Sequence, residues 1–446
     1  MIEDITAVFV LPGFRVLDSE IGGGDLTLLV ETPRDLVGCP ECGAVARVKD
    51  RRTVTVRDLP AGGTPVIIRW RKRIFECRYS LCERKTWTEH HDAIASRAVL
   101  TERARQWGFE QVGFHDRAVS AVAAQLGVAW HTIMTQVTDR GKPVVDDPQR
   151  LADVSAIGVD ETAFLRATGR HPTLYATGIA DLTGGRTPRL LDVTQGRSGT
   201  VLGGWLTARD ATWRAAIVTA SLDPFRGYAT ALNTHLPAAV RVLDPFHLVK
   251  LALLAVDRIR RRVQQDTLGH RGLAGDPLYR ARRILRRRHD RLTERQWTRL
   301  RAALTAGDPN EEITAGWLVA QRLMQAYANP DRATGKAAAE QVITMARTCP
   351  VPEIARLGRT LTIWRTEFLA RFDHPDVSNG PTENLNLKIK NTKRVARGYR
   401  SFSNYRLRLL LNHGIIREDQ QTTRIRTRRP SLAAERFPNS LSTRWS

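Results

Sequence analysis

Between residues 154 and 247 the apolar positions fall in short unbroken runs, several of them ending in an acid. Ser155-Ala156-Ile157-Gly158-Val159-Asp160 is the first. Runs of this length, rich in branched residues and bounded by turn formers, predict buried strands. Further strands are predicted at 173–180 and 188–194, joined by a turn at Gly184-Gly185. A helix near 198–208 follows, then a strand at 216–221 that reaches Asp223. A helix near 225–235 leads into a strand at 239–243 that reaches Asp244. The predicted order is β-β-β-α-β-α-β.

Beyond residue 248 the period lengthens to that of amphipathic helices, and this continues to about 372. Thr293-Glu294-Arg295-Gln296 has the form of a capping box. Asp308-Pro309-Asn310-Glu311 offers an N-cap, proline at the first helical position and glutamate at the third. Helical character resumes over 381–415, with Pro381 as its start and Glu383 in the first turn. From about 417 the chain is polar and arginine-rich, which predicts a poorly ordered tail.

Towards the N-terminus, Thr53–Val56 and Val66–Trp70 read as strands. Residues 117–137 have the pattern of a helix-turn-helix. Val119, Val122 and Ala123 share one face, Gly127 supplies the turn, and Ile133, Met134 and Val137 form the apolar face of the second helix. Trp130, His131, Thr132 and Gln136 are then candidates to face a major groove.

Composition sharpens this picture. The 446 residues carry a formal net charge of +23, which points to a polyanionic partner, most simply nucleic acid. The charge is clustered: residues 282–291, RRILRRRHDR, hold six arginines and one aspartate, whereas residues 1–36 are acidic. No apolar run is as long as a membrane span. The opening Met1-Ile2-Glu3-Asp4 lacks the basic start of a secretory signal, so a cytoplasmic, nucleoid-associated protein with no membrane partner is expected. Five cysteines are too few for a disulfide scaffold. Cys39-x2-Cys42 and Cys77-x4-Cys82, flanking predicted strands, suit a closed tetrahedral zinc site in a zinc ribbon. Cys349 is left as a small core residue.

Asp160 and Asp223 end apolar strands, where open α/β sheets collect their ligands. If Glu383 comes alongside, three carboxylates converge and repel one another unless divalent cations enter. Hard Mg²⁺ suits such oxygen ligands, and two ions there can activate a nucleophile and stabilise a leaving 3′ oxygen. Lysines and arginines after Glu383, namely Lys388, Lys390, Lys393, Arg394 and Arg397, are candidates to hold DNA phosphates nearby.

The strand order is that of a ribonuclease-H-like domain. The segments Ile157–Glu161, Leu243–Lys250 and Ser378–Asn384 through Gly398-Tyr399 resemble transposases of the ISL3 insertion-sequence family. That resemblance spans nearly the whole chain. It implies an Asp-Asp-Glu enzyme acting with two Mg²⁺ or Mn²⁺ ions on double-stranded DNA. Its substrates would be the terminal inverted repeats and target DNA, cleaved and joined by a homo-oligomer assembled on DNA. It makes Asp160 the first metal ligand and Glu383 the third. For the second, topology favours Asp223, while Asp244 begins an Asp-x-x-His signature and stays open. His247 is a candidate to order the site or to activate a nucleophile, and equally a packed histidine at a helix start.

The expected architecture is an α/β ribonuclease-H-like catalytic core with a helical insertion, preceded by a zinc ribbon and a helix-turn-helix. Its segments are an N-terminal stretch (1–36), the ribbon (37–92), the helix-turn-helix (98–143), the core (152–247), the insertion (248–375), the Glu383 helix (376–415) and the tail (416–446). Two rival functions share these features: a catalytically inactive DNA-binding regulator, and a structure-specific nuclease of the same fold.

Overall fold

The computed structural model describes residues 11–169, 171–377 and 379–416; the predicted tail from 417 onward lies outside them. Two sheets organise the chain. The first has the order β1-β2-β4-β3, formed by Arg15–Gly22 (β1), Asp25–Glu31 (β2), Arg47–Ala61 (β3) and Thr64–Glu76 (β4). The short strand Thr86–Thr88 (β5) pairs with β4. Alternate residues of these strands, including Leu28, Val56, Ile68 and Trp70, close a small core. Strands β1 and β2, from the stretch before residue 37, are thus hydrogen-bonded into the same sheet as the ribbon strands.

Three helices follow: Glu102–Gly113 (α1), Val119–Leu126 (α2) and Trp130–Asp146 (α3). Gly127 ends α2 at φ 65°, a left-handed conformation that glycine adopts without steric cost, and so makes the turn. Ile133, Met134 and Val137 are buried, as the periodicity requires.

The second sheet has the order β10-β9-β6-β7-β8. It comprises Ala156–Leu165 (β6), Leu174–Asp181 (β7), Arg189–Gln195 (β8), Thr219–Leu222 (β9) and Val240–Leu243 (β10). Strands β6, β7 and β8 form an antiparallel meander, and β9 and β10 extend it in parallel on the far side of β6. The connecting helices are Gly199–Thr207 (α4), Ala211–Ala216 (α5) and Arg226–His235 (α6). This is the ribonuclease-H-like arrangement.

Two boundaries differ from expectation. β6 does not end at Asp160, as its apolar run predicts, but continues to Leu165, because β7 stays paired with it after β9 has ended. The strand predicted to begin at 216 begins at Thr219, because residues 211–216 form α5. The Asp210 carboxylate accepts from Trp213 N at 2.7 Å and starts that helix. The Trp213 indole, bonded to the Leu151 carbonyl at 2.8 Å, fixes it.

The insertion is helical throughout, with Pro245–Leu268 (α7), Pro277–Ala281 (α8), Glu294–Gly307 (α9), Glu312–Ala328 (α10), Arg332–Thr348 (α11), Pro352–Ile363 (α12) and Arg365–Asp373 (α13). The Thr293–Gln296 capping box forms as expected. Asp308 is displaced from its expected role: it ends α9, and α10 starts four residues later, at Glu312. Its carboxylate nevertheless accepts from the backbone N–H of Ile313 and Thr314, at 3.0 and 2.8 Å, so it caps α10 from outside. Cys349 packs half-buried against the main core.

Gly380–Val395 (α14) and Phe402–His413 (α15) return to the sheet. One face of the second sheet (Ile157, Val159, Ile179) packs on α4, α6 and the insertion. The other (Ala176, Ala180, Leu190, Val193) packs on α14, α15 and the helix-turn-helix in one continuous cluster. The predicted DNA-binding and Glu383-bearing segments therefore share a core.

Candidate active site

Parallel pairing aligns the last residues of β9 and β10 with the middle of β6, where β6 parts from β9. Val159 is in register with Leu222, and Leu222 with Leu243. Asp160, Asp223 and Asp244 each follow one of these residues, so they form a row across β6, β9 and β10. Neighbouring strands lie ~4.8 Å apart, which puts Asp223 in the middle and Asp244 two strands from Asp160.

Helix α14 closes over this row. Gly158 lets it approach: a β-carbon there would lie well inside van der Waals contact distance of Thr382 Oγ1 and 2.7 Å from Leu182 Cδ1. Asn379 donates from Nδ2 to Asp223 Oδ1 at 3.1 Å. Asn386 donates to Asp160 Oδ2, and Glu161 N donates to Asp160 Oδ1 at 2.7 Å. Residues 379, 383 and 386 recur at helical spacing, so Glu383 lies between the two asparagines on one face. Glu383, Asp244 and His247 each present a ligand atom, all within 4.8 Å of one another. Asp160 and Asp223 stand outside that trio: His247 ties Asp223 to it, and Asn386 bonds Asp160 from the helix that carries Glu383.

Asp244 sits at the N-cap of α7 but makes no side-chain cap. Its carboxylate instead accepts from His247 Nδ1 at 3.0 Å, while His247 Nε2 lies 3.0 Å from Asp223 Oδ2. Burial alone would lower the imidazole's pKa, but the bonds to Asp223 and Asp244 outweigh it and push it up to about 10. His247 is therefore a charged clamp between two carboxylates. That chemistry fits ordering of the site rather than proton abstraction, since both ring nitrogens are donors. Asp160 shows the opposite pressure. Burial, and then the charge of Asp223, raises its carboxyl to about 7. Excess negative charge in a desolvated row is the electrostatic signature of a site that takes cations, and the carboxylate oxygens suit hard divalent ions. Glu161 points to the other face, with Arg197 Nη1 at 3.1 Å.

Beside the acids, a groove of about 770 Å³ runs between β6 and α14. Lys390, Lys393, Arg394 and Arg397 line it. Lys388 lies on the same helix and is exposed, as are Lys390, Arg394 and Arg397. Lys393 is half-buried and donates to the Ala163 carbonyl at 2.9 Å, where β6 bulges, so it also holds α14 to the sheet. At the start of α3, Trp130 and His131 are exposed and Thr132 and Gln136 half-buried. Trp130 shares a cleft of about 350 Å³ with Tyr399 and Arg400.

The four paired cysteines converge. Cys39 and Cys82 Sγ are 3.8 Å apart, Cys42 and Cys77 Sγ 3.5 Å, and all four lie within 4.8 Å. Tetrahedral Zn–S bonds of about 2.3 Å require sulfur separations of about 3.8 Å, so the cluster fits zinc. Backbone N–H of Cys42 lowers the Cys39 thiol to about 7, while burial pushes Cys82 up to about 12.

Asn379 and Asn386 were not singled out from the sequence. Their spacing around Glu383 was the available signal, since polar residues at i, i+4 and i+7 on a helix share a face.

Residues 157–409 match the DDE family model for ISL3, described as "Transposase". Residues 35–82 match the zinc-finger of transposase IS204/IS1001/IS1096/IS1165, and residues 89–141 the helix-turn-helix domain of transposase family ISL3. The transposases for insertion sequence element IS1557 of two Mycobacterium tuberculosis strains are 28% identical over 302 residues, which is 63% of this chain. This chain spans 65% of the length of those relatives. A Drosophila P element transposase strand transfer complex is similar at TM-score 0.39 and 9% identity, over 69% of this chain and 91% of that one, a likeness too distant to argue from. The first model alone takes in more than half the chain and every acid of the row, and with the ribbon and the helix-turn-helix matched in their expected places, the chain belongs to the ISL3 family of transposases.

Proposed function

We propose that this protein is a DNA transposase that binds the terminal inverted repeats of an insertion sequence and cleaves and transfers DNA strands. The observation that carries the reading is the row Asp160–Asp223–Asp244 with α14 laid across it, so that Glu383 comes beside Asp244 and His247 from more than a hundred residues away. Asp160, Asp223 and Glu383 would hold two Mg²⁺ or Mn²⁺ ions, which activate a water or sugar hydroxyl and neutralise the departing oxygen.

The chain's own residues prepare that site. Asn379 and Asn386 orient the Asp223 and Asp160 carboxylates through single hydrogen bonds, leaving lone pairs on each for other ligands. His247 anchors Asp223 and Asp244 to each other and offsets part of their charge. Lys390, Arg394 and Arg397, in the groove beside β6, attract and position backbone phosphates next to the acids. Helix α3, through Trp130, His131, Thr132 and Gln136, reads the repeat. Two or more copies assemble on the DNA ends, and the protein acts in the cytoplasm at the nucleoid.

Nicking of duplex DNA bearing the element's ends, in Mg²⁺, tests the reading. Wild type cuts at the end and Asp160→Ala does not. Equal cutting by both would overturn it, and equal cutting of scrambled ends would favour a structure-specific nuclease.

A further inference from the structure

The arginine run at 282–291 has a role that the site above does not use. Arg282, Arg283 and Arg286 come together with Arg260, Arg261 and Arg271 around a hollow of about 370 Å³ between α7 and α8. Asp257 is the one carboxylate in its lining, and both its oxygens are already paired. Its Oδ1 accepts from Arg260 Nη2 at 2.8 Å and its Oδ2 from Arg261 Nη2 at 2.8 Å. Six guanidiniums against one carboxylate leave a formal excess of five positive charges.

Two features distinguish the hollow from a solvated basic face. Tyr279 holds guanidiniums in place: Arg282 lies 3.9 Å from its ring centroid and Arg260 5.7 Å. Stacking fixes the planar fork that binds phosphate oxygens in pairs. Moreover, Arg271, Arg283 and Arg286 are exposed, and among the described residues their side chains have no hydrogen-bond or ion-pair partner. Like charges gathered this way are relieved by an anion.

Position indicates which anion. Asp257 and Arg261 lie ten and fourteen residues beyond His247 on α7, roughly 15–21 Å along a rigid helix. Duplex DNA carries one phosphate per strand every ~3.4 Å. We propose that this basin binds backbone phosphates of duplex DNA about five base pairs from the acids, fixing the duplex along α7. The proposal rests on the transposase reading above.

Fluorescence anisotropy with a duplex of arbitrary sequence, titrated over a range of salt, tests it on the full chain. R271A/R283A/R286A should lower the slope of log affinity against log salt by ~2.7, which is 0.9 for each phosphate no longer neutralised. A matched triple, R332A/R347A/R359A, removes equal charge from exposed positions on α11 and α12 and should leave the slope as in wild type. An unchanged slope in the basin triple, or an equal drop in the matched triple, overturns the proposal. So does thermal stabilisation by ATP or inorganic phosphate that the basin triple loses without any change in slope, since that assigns the basin to a small phosphate compound. Failure of wild type to nick would sink the transposase reading but leave the slope comparison standing, so the two outcomes are separable.

Discussion

Thr382 Oγ1 occupies the space that a side chain at Gly158 would need. The strand that carries Asp160 and the helix that carries Glu383 are therefore packed backbone against side chain, with no spare layer between them. Gly158→Ala should push α14 outward. Overpacking of this kind costs about 1–3 kcal/mol of stability, and a displacement near 1 Å can cost on the order of 10²-fold in rate. Nicking should fall by that order while binding of duplex DNA holds. Thr382→Ala added to Gly158→Ala should restore part of the rate. Full activity of the single variant would show that α14 does not depend on this approach.

The middle position of Asp223 in the row separates it from Asp244. Two catalytic ions sit ~3.5–4 Å apart, a span that adjacent strands match and alternate strands exceed. Asp223→Asn should therefore reduce nicking to background at every Mg²⁺ concentration. Asp244→Asn frees His247 from one of its two anchors and should cost 10–100-fold, the usual range for an outer partner of a metal ligand. Nicking rates against Mg²⁺ concentration decide this, and activity in Asp223→Asn with background rates in Asp244→Asn would reverse the assignment.

The succession of strands in the second sheet was legible because each buried strand is an apolar run long enough to stand alone, and because Asp223 and Asp244 mark where two of them stop; β6 runs past Asp160 because its partner β7, far off the apolar run, holds it to Leu165. Gly127 and the Thr293–Gln296 box were legible for a similar reason: both are local devices whose partners lie within a few residues. The start of β9 was not. Ala216-Ile217-Val218 has the composition of a strand, and the carboxylate of Asp210 that commits the preceding turn to helix acts from outside the run. Long-range relationships were hidden altogether. Nothing near Asn386 in the sequence names Asp160 as its partner, 226 positions away. The arginine run was visible as charge, but Tyr279 and Arg260, which make a hollow of it, come from other elements.

The cysteine geometry makes a separate prediction. Metal analysis of purified protein should find about one zinc per chain. Cys42→Ser or Cys77→Ser should lose it and lower the melting temperature of the ribbon, whereas Cys349→Ser, remote from the cluster, should keep it. Protein that binds no zinc yet retains all four cysteines reduced would refute the site.

A largely buried chain of polar groups, with Asp116 and His413 half-buried at its ends, joins the helix-turn-helix to the Glu383 helix and sets a pH dependence. Asp116, in the loop between α1 and α2, accepts from Thr392 Oγ1 of α14 at 2.9 Å and from Arg408 Nη2 of α15 at 3.2 Å. Thr392 Oγ1 also lies 3.0 Å from His413 Nε2. Burial, helped by the charge of Lys388, lowers the pKa of His413 from 6.5 to about 4. A neutral imidazole with its proton on Nε2 completes the chain, donating to Thr392, which donates to Asp116. Between pH 6.5 and about 4 the unfolded chain binds a proton at this position that the folded chain does not, so stability is full above 6.5 and falls as pH drops through that window. The shift corresponds to about 3 kcal/mol. His413→Gln keeps a donor in place and cannot titrate. Urea melts should show its stability changing less steeply than wild type's across this window and matching it near neutrality. Parallel pH profiles for the two proteins would mean that His413 takes up its proton without disturbing the junction.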